Sequence, residues 1–314
     1  MSSMKHIVCT IDDNYVVHCS VMLKSLFLNN KRSRFKIFII HNGLASENQN
    51  AIARFIQSEN QEVEFLLIDE KQIENAPVSH HVSLATYYRI LIPVLIGPDI
   101  KKVLFLDSDL LVRGDISELW ETDLQDSYVA AAPEFIDEKY KIALGMNPSS
   151  GYFNAGVLLM NLEKWRKVDM TTRILKFIDA NHEKLISWDQ DALNVMFENK
   201  WKKISPEWNV GHNFFRGESL AGYFRISEIE FNNYVRSPKI VHFSGGAKPW
   251  LFEISHPFKS EYLEYKERTP WRKLKLIGEP TGFQKFNKRI GNVYRAFKSK
   301  CKEVLFADRK IKSN

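Results

Sequence analysis

The chain has 314 residues, enough for one large α/β domain or a domain with an appendage. Its 44% hydrophobic and 12% aromatic content suits a globular protein with a substantial core, and no apolar run approaches the ~18 residues of a membrane span. The net charge of +6 hides an asymmetry: residues 268–314 hold 14 Lys and Arg against 3 Asp and Glu, so the tail carries +11 and residues 1–267 carry −5.

In chain order, residues 1–6 lead straight into a strand, which leaves no room for a signal peptide. Cys9, Cys19 and Cys301 lack metal-like spacing and read as free thiols of a reducing cytoplasm. Residues 6–11 form the first predicted strand, ending in Asp12-Asp13-Asn14-Tyr15. An amphipathic helix follows, with Val16, Cys19, Leu23, Leu26 and Phe27 on one face. Residues 35–40 are a second strand, and Ser46-x-x-Gln49 has the form of a capping box opening a helix with Ile52, Phe55 and Ile56 inside. Residues 63–68 are a third strand. Residues 83–95 are an apolar, buried helix with one charge, Arg89.

Residues 103–106 form a short apolar strand that ends in Asp107-Ser108-Asp109. In open α/β sheets, ligands bind beyond the carboxyl ends of strands. Two carboxylates there can offer hard oxygens to Mg2+ or Mn2+, and such a cation neutralises a diphosphate. The same residues could instead cap the next segment at a surface turn. The βαβαβ rhythm argues a parallel sheet with helices on both faces, of the nucleotide-binding kind. Gly-x-Gly-x-x-Gly and the P-loop are absent, which argues against a dinucleotide fold or a P-loop enzyme.

Three compact signals follow. Residues 151–161 set Asn154 just before a buried strand. Ser187-Trp188-Asp189-Gln190-Asp191 opens a helix that Ser187 can cap, with backbone N–H groups and polar side chains in its first turn. Residues 239–243 form a strand ending in His242-Phe243, followed by Ser244-Gly245-Gly246-Ala247-Lys248-Pro249-Trp250. The glycines admit a ligand close to the backbone, Lys248 offers charge to phosphate, and His242 offers a nitrogen ligand. Singly, each is also compatible with an ordinary structural role.

Together, in this order with Tyr87-Tyr88-Arg89, these segments resemble glycosyltransferase family 8, over roughly residues 5–260. The bacterial lipopolysaccharide branch is the nearer match, through the His-x-x-Gly-x-Ala-Lys-Pro-Trp ending and the basic tail. The resemblance implies a GT-A type α/β fold, with a mainly parallel central sheet flanked by helices over residues 1–267, plus a basic helical tail over 268–314. It implies that Asp107, Asp109 and His242 ligate Mn2+ or Mg2+. Thr10, Asp12, Asn14 and Ser108 would meet the uracil and ribose of a UDP-sugar, and Gly245 and Lys248 the diphosphate. Arg89, Asn154, Asp189 and Gln190 would surround the donor sugar.

The implied reaction is retaining transfer of a hexose from UDP-galactose or UDP-glucose to a saccharide or glycolipid acceptor. Retention normally calls for a carboxylate nucleophile on the far face. Gln190 stands at that position and is a poor nucleophile, so front-face attack with the departing phosphate as base is the better reading, and Asp189 serves a sugar hydroxyl. Residues 76–81 and His212-Asn213-Phe214-Phe215-Arg216 are candidates for the acceptor side. The tail interleaves aromatics with Lys and Arg and reads as an anchor to an anionic membrane surface, on the cytoplasmic face, with no specific nucleic acid expected. Two other classes remain open. A haloacid-dehalogenase-like phosphatase would use Asp107 as nucleophile, and a noncatalytic nucleotide-sugar-binding protein would bind without turnover.

Overall fold

The computed structural model describes residues 4–68 and 87–280. The chain divides into two compact units, Met1–Pro249 with His256–Lys273, and Trp250–Ser255 with Leu274–Asn314. The second unit contains a small parallel bridge between Leu251 and Ile277, held by N–H donation from Phe252 and Ile277 at 2.8 and 2.9 Å.

Among the described residues, the strands all belong to the first unit: β1 Lys5–Thr10, β2 Phe35–His41, β3 Glu62–Leu67, β4 Lys102–Leu106, β5 Leu110–Val112, β6 Val129–Pro133, β7 Phe153–Asn161, β8 Lys202–Lys203 and β9 Ile240–His242. Seven form one sheet in the order β3-β2-β1-β4-β7-β6-β8, while β5 and β9 pair separately. β1 to β4 run parallel, β7 runs against both β4 and β6, and β8 is parallel to β6. The fold is thus the expected α/β arrangement with a mainly parallel sheet, and β7 is its reversed strand.

Strand periodicity divides the core into two layers. Ile7, Cys9, Ile37, Ile39, Leu104 and Leu106 pack with helices Val16–Asn29 and Ser46–Ser58. Val8, Phe38, Val103, Phe105 and Leu158 pack with helices Tyr88–Leu95, Leu162–Lys167, Met170–Asn181 and Trp188–Met196. The central strands are buried on both faces, so they read as unbroken apolar runs.

Several local expectations are corrected. Helix Val16–Asn29 is buried nearly all round, because Val17, His18, Ser20 and Val21 are enclosed as well as the predicted face. Helix Lys259–Lys266 and β5 cover the sides that the sheet does not. The Ser46 capping box does not form: the N-cap is Ala45, without a side-chain bond. Asp13 caps from a distance instead, accepting the Ala45 N–H at 3.1 Å and the Asn48 amide at 2.8 Å. The predicted helix over 83–95 is described as Tyr88–Leu95, and residues 76–81 and 83–86 lie outside the described residues. Residues 268–273 belong to the first unit: Thr269 is buried, and the Trp271 ring meets Phe55 edge-on at 6.4 Å. Among the described residues, no helix is long and apolar enough to cross a membrane.

Candidate active site

Asp107 follows the last residue of β4, and its N–H donates to the Gly156 carbonyl at 2.9 Å. Because β7 is antiparallel to β4, the beginning of β7 lies at the carboxyl edge of the sheet, bringing Asn154 to the Asp-x-Asp turn. Asp109 enters β5, whose pairing sets Leu110 opposite His242, and the Asp109 carbonyl accepts the Phe243 N–H at 3.0 Å. Ligand atoms of Asp107, Asp109 and His242 lie within 4.8 Å of one another. The His242 Nε2 is 3.3 Å from Asp109 Oδ1 and 3.9 Å from Asp107 Oδ2. Its Nδ1 is 2.9 Å from the Asn209 side-chain Oδ1, so the Nδ1 proton is held there and Nε2 turns toward the carboxylates. A Cβ on Gly156 would fall 2.4 Å from His242 Cε1 and 2.9 Å from Asp107 Oδ2, so glycine keeps this space clear. Two carboxylates and an imidazole in this cradle fit a hard divalent cation.

The opposite wall is built on Arg89. Its guanidinium lies over the Phe105 ring at 4.7 Å and donates to the Ala155 carbonyl at 2.5 Å and to Asp107 at 3.2 Å. The Arg89 Nε is 2.7 Å from Asp189 Oδ2, an ion pair whose N–H does not point along the contact. One cation therefore links the metal-side carboxylate to Asp189. Gln190 accepts the Ala155 N–H at 2.9 Å and donates to the Tyr152 hydroxyl at 3.2 Å. Asn154 accepts from Gly156 N–H and from Asn209, and donates to Glu134.

Burial and neighbours divide the carboxylates. Burial raises Asp107 above its ordinary range, with Arg89 opposing it. Burial acts on Asp109 as well, but His242 and Lys248 outweigh it and hold the carboxyl well below that range. Burial lifts Asp189 to about 7 against the pull of Arg89. Burial alone would lower His242, and the two aspartates reverse that and raise it.

Arg89, Asp107, Asp109, Asn154, Asp189, Gln190, His242 and Gly245 line one cavity of about 600 Å3, which His212 and Asn213 also line. Thr10, Asp12, Asn14, Ser108 and Lys248 do not line it. The Ser108 hydroxyl donates to the Thr10 carbonyl at 2.9 Å, which ties the end of β1 to the Asp-x-Asp turn. Asp12 accepts the Tyr15 N–H at 3.0 Å, and Asn14 is exposed. Lys248 donates to Asp109 at 2.5 Å and to the Phe243 carbonyl at 2.7 Å, so its charge sits on the metal-side carboxylate. Gly245 has a φ of +74°, open to glycine at little cost. A cavity of about 570 Å3 lined by Lys31, Arg113, Glu261 and Arg268 holds none of the predicted residues.

Sequence reasoning missed the supporting residues. Asp191, fully buried, accepts the Tyr152 hydroxyl at 2.5 Å, the Tyr140 hydroxyl at 2.9 Å and the Ser187 N–H at 2.6 Å. Ser187 thus takes its place through its own N–H, and its side chain does not cap the helix. Trp188 sits at a φ of +43°, unusual for a bulky residue, where the chain turns to present Asp189 and Gln190. Glu134 and Asn209 hold Asn154 from two sides. The Asn154-x-Gly156 spacing was visible, but partners 20 and 55 residues away carry no local signal.

A family described as Glycosyl transferase family 8 matches residues 6–253. General stress protein A of Bacillus subtilis is 33% identical over 279 residues, covering 88% of this chain and 96% of that protein. The lipopolysaccharide 1,3-galactosyltransferase of Salmonella typhimurium is 23% identical over 281 residues, covering 87% and 81%. Among solved structures, the galactosyltransferase LgtC in complex with donor and acceptor sugar analogs superposes with a TM-score of 0.73 at 27% identity, covering 84% of this chain and 96% of that one.

Proposed function

The chain belongs to glycosyltransferase family 8, and from that premise we propose that it moves galactose or glucose from a UDP-sugar to a saccharide or glycolipid acceptor, with retention of configuration. The observation that carries this reading is the single cavity in which Asp107, Asp109 and His242 face Arg89, Asp189 and Gln190. Family membership displaces the haloacid-dehalogenase reading of Asp107.

In this proposal Asp107, Asp109 and His242 hold Mn2+ or Mg2+, which when bound neutralises the diphosphate leaving group. Arg89 fixes Asp189 and Asp107 in mutual register. Asp189 receives a hydroxyl of the donor sugar. Gln190 has both amide ends engaged by protein, Asp189 is paired with Arg89, and Asp191 is enclosed by two tyrosines and the Ser187 N–H. None of the three is a free nucleophile beneath the sugar. That supports front-face attack by the acceptor hydroxyl, with the departing phosphate as base. Surface glycan assembly, such as that of lipopolysaccharide, is the proposed setting, with the basic tail on the cytoplasmic face of the membrane.

The test is release of UDP from UDP-galactose and UDP-glucose with Mn2+. We expect slow hydrolysis without acceptor, lost in EDTA and reduced at least a hundredfold in Asp107→Asn and Asp109→Asn with the fold intact. Full turnover in EDTA or in either variant rejects the metal assignment. Tight UDP binding with no hydrolysis or transfer of any donor sugar selects a binding protein instead.

A further inference from the structure

We propose that a second cavity beside the candidate active site is a subsite for an acidic sugar, a uronate or a sugar phosphate, in the distal part of the acceptor glycan. The inference rests on the glycosyltransferase reading and adds an acceptor class to it. The cavity measures about 610 Å3, within the usual span of small-ligand sites.

Its plate is Trp201, a half-buried ring whose centroid lies 5.1 Å from that of Phe153. A Cβ at Gly151 would stand 2.8 Å from Trp201 Cζ2, so glycine lets the ring lie close against the backbone. Such a plate suits the apolar face of a sugar ring. Around it stand Lys141, Lys203 and Arg225 against one acid, Glu138. Lys141 is buried and donates to the carbonyls of Pro148 and Ser150 at 2.9 and 2.8 Å, so it contributes field rather than contact. Lys203, whose ammonium makes one long bond to the Phe224 carbonyl at 3.4 Å, and Arg225 are exposed and within reach of a ligand.

Arg225 is the distinctive residue. It ends the short helix Ala221–Phe224 as its C-cap, at a φ of +56° with its N–H turned to the Ala221 and Gly222 carbonyls, and its side chain stands exposed at the cavity. Its guanidinium is in none of the ion pairs among the described residues.

The cavity also adjoins the catalytic one. Tyr223 lines it, and that ring meets Phe135 of the catalytic cavity edge-on at 4.9 Å. Tyr152 lines it too, while its hydroxyl bonds Gln190 and Asp191. An oligosaccharide whose end lies among the catalytic residues can therefore run over Phe135 and Tyr223 onto Trp201.

The experiment uses full-length protein and calorimetry with trigalacturonate, a neutral galactose trisaccharide and mannose 6-phosphate. Trigalacturonate or the sugar phosphate should bind at least tenfold more tightly than the neutral trisaccharide, and which of them does so separates uronate from phosphate. Arg225→Gly, whose backbone accepts a positive φ, and Lys203→Gln should each weaken the acidic ligand about tenfold without changing circular dichroism. Equal affinity for acidic and neutral sugars overturns the proposal, as does binding unaffected by both variants. Loss of trigalacturonate binding on saturation with UDP and Mn2+ also overturns it, because the acid would then sit in the donor site. Hydrolysis of UDP-sugar by the wild type tests the underlying reading separately: hydrolysis without acidic preference removes the subsite alone.

Discussion

At the scale of the residue, Gly156 and Asn209 are where the proposed metal group is most exposed to a single change. A methyl group at position 156 collides with a His242 ring that is buried and cannot swing away. Gly156→Ala should lower Mn2+ affinity more than tenfold in calorimetry while the far-ultraviolet circular dichroism stays native. Asn209→Ala removes the acceptor for His242 Nδ1 and the donor to Asn154, so affinity should fall 10–100-fold, the range typical of such supporting partners. Unchanged affinity in both variants would show that the histidine is oriented by something else. Asp107 and Asp109 could be read from the sequence because they share one turn. Asn209 could not, because it is an ordinary asparagine in a stretch without a motif, joined to His242 only by the fold.

At the scale of the element, helix Val16–Asn29 makes stability depend on pH. Burial lowers His18 to about 4, so the folded protein keeps it neutral while the unfolded chain titrates it near 6.5. Below about pH 6.5 the unfolded state binds the extra proton. The stability is therefore full above that pH and is lost as pH falls to about 4, by on the order of 3 kcal/mol. His256 is lowered in the same direction by burial, whereas Asp189, raised to about 7, works in the opposite sense. The measurement that isolates His18 is the difference in urea midpoint between pH 7.5 and 4.5, which should be smaller in His18→Asn than in the wild type. An identical difference would place the titration elsewhere. The same helix shows what periodicity conveys. Val16, Cys19, Leu23, Leu26 and Phe27 revealed its sheet-facing stripe, but not the cover that Lys259–Lys266 lays over its other side. Ser46 and Ser187 carried the right residue types for caps, but Asp13, 32 residues from Ala45, and Asp191, four residues after Ser187, took over. Local signals identified the strands near residues 5–10, 35–41, 62–67, 102–106, 153–161 and 240–242 and the helices Val16–Asn29, Ser46–Ser58, Tyr88–Leu95 and Trp188–Met196, but not β5, β6, β8 or helices Leu162–Lys167 and Met170–Asn181. They did not identify what holds the ends.

At the scale of the whole molecule, the charge asymmetry separates a near-neutral body from a basic end. Residues 281–314 hold ten Lys and Arg against two Asp and Glu. Basic residues near an anionic leaflet contribute about 1 kcal/mol each. Deleting residues 281–314 should release the protein from anionic vesicles in a pelleting assay, and high salt should do the same to the full chain. A cut at Thr269 is unsuitable, because Thr269 is buried and Trp271 packs on Phe55. Continued pelleting of the shortened chain would refute the membrane role of the tail.

The reversed strand has a consequence for how the protein is made. β7 covers the edge of β4 that β1 leaves open, and that edge, Val103 to Leu106, is wholly apolar. During synthesis the first four strands emerge before their cover. At the usual pace of translation, roughly 3 to 10 s separate residue 106 from residue 161. For that interval the nascent chain presents an unpaired hydrophobic edge to its surroundings. The strand that delivers Asn154 to the active site thus also ends the interval in which the growing chain is most open to mispairing and to capture by chaperones.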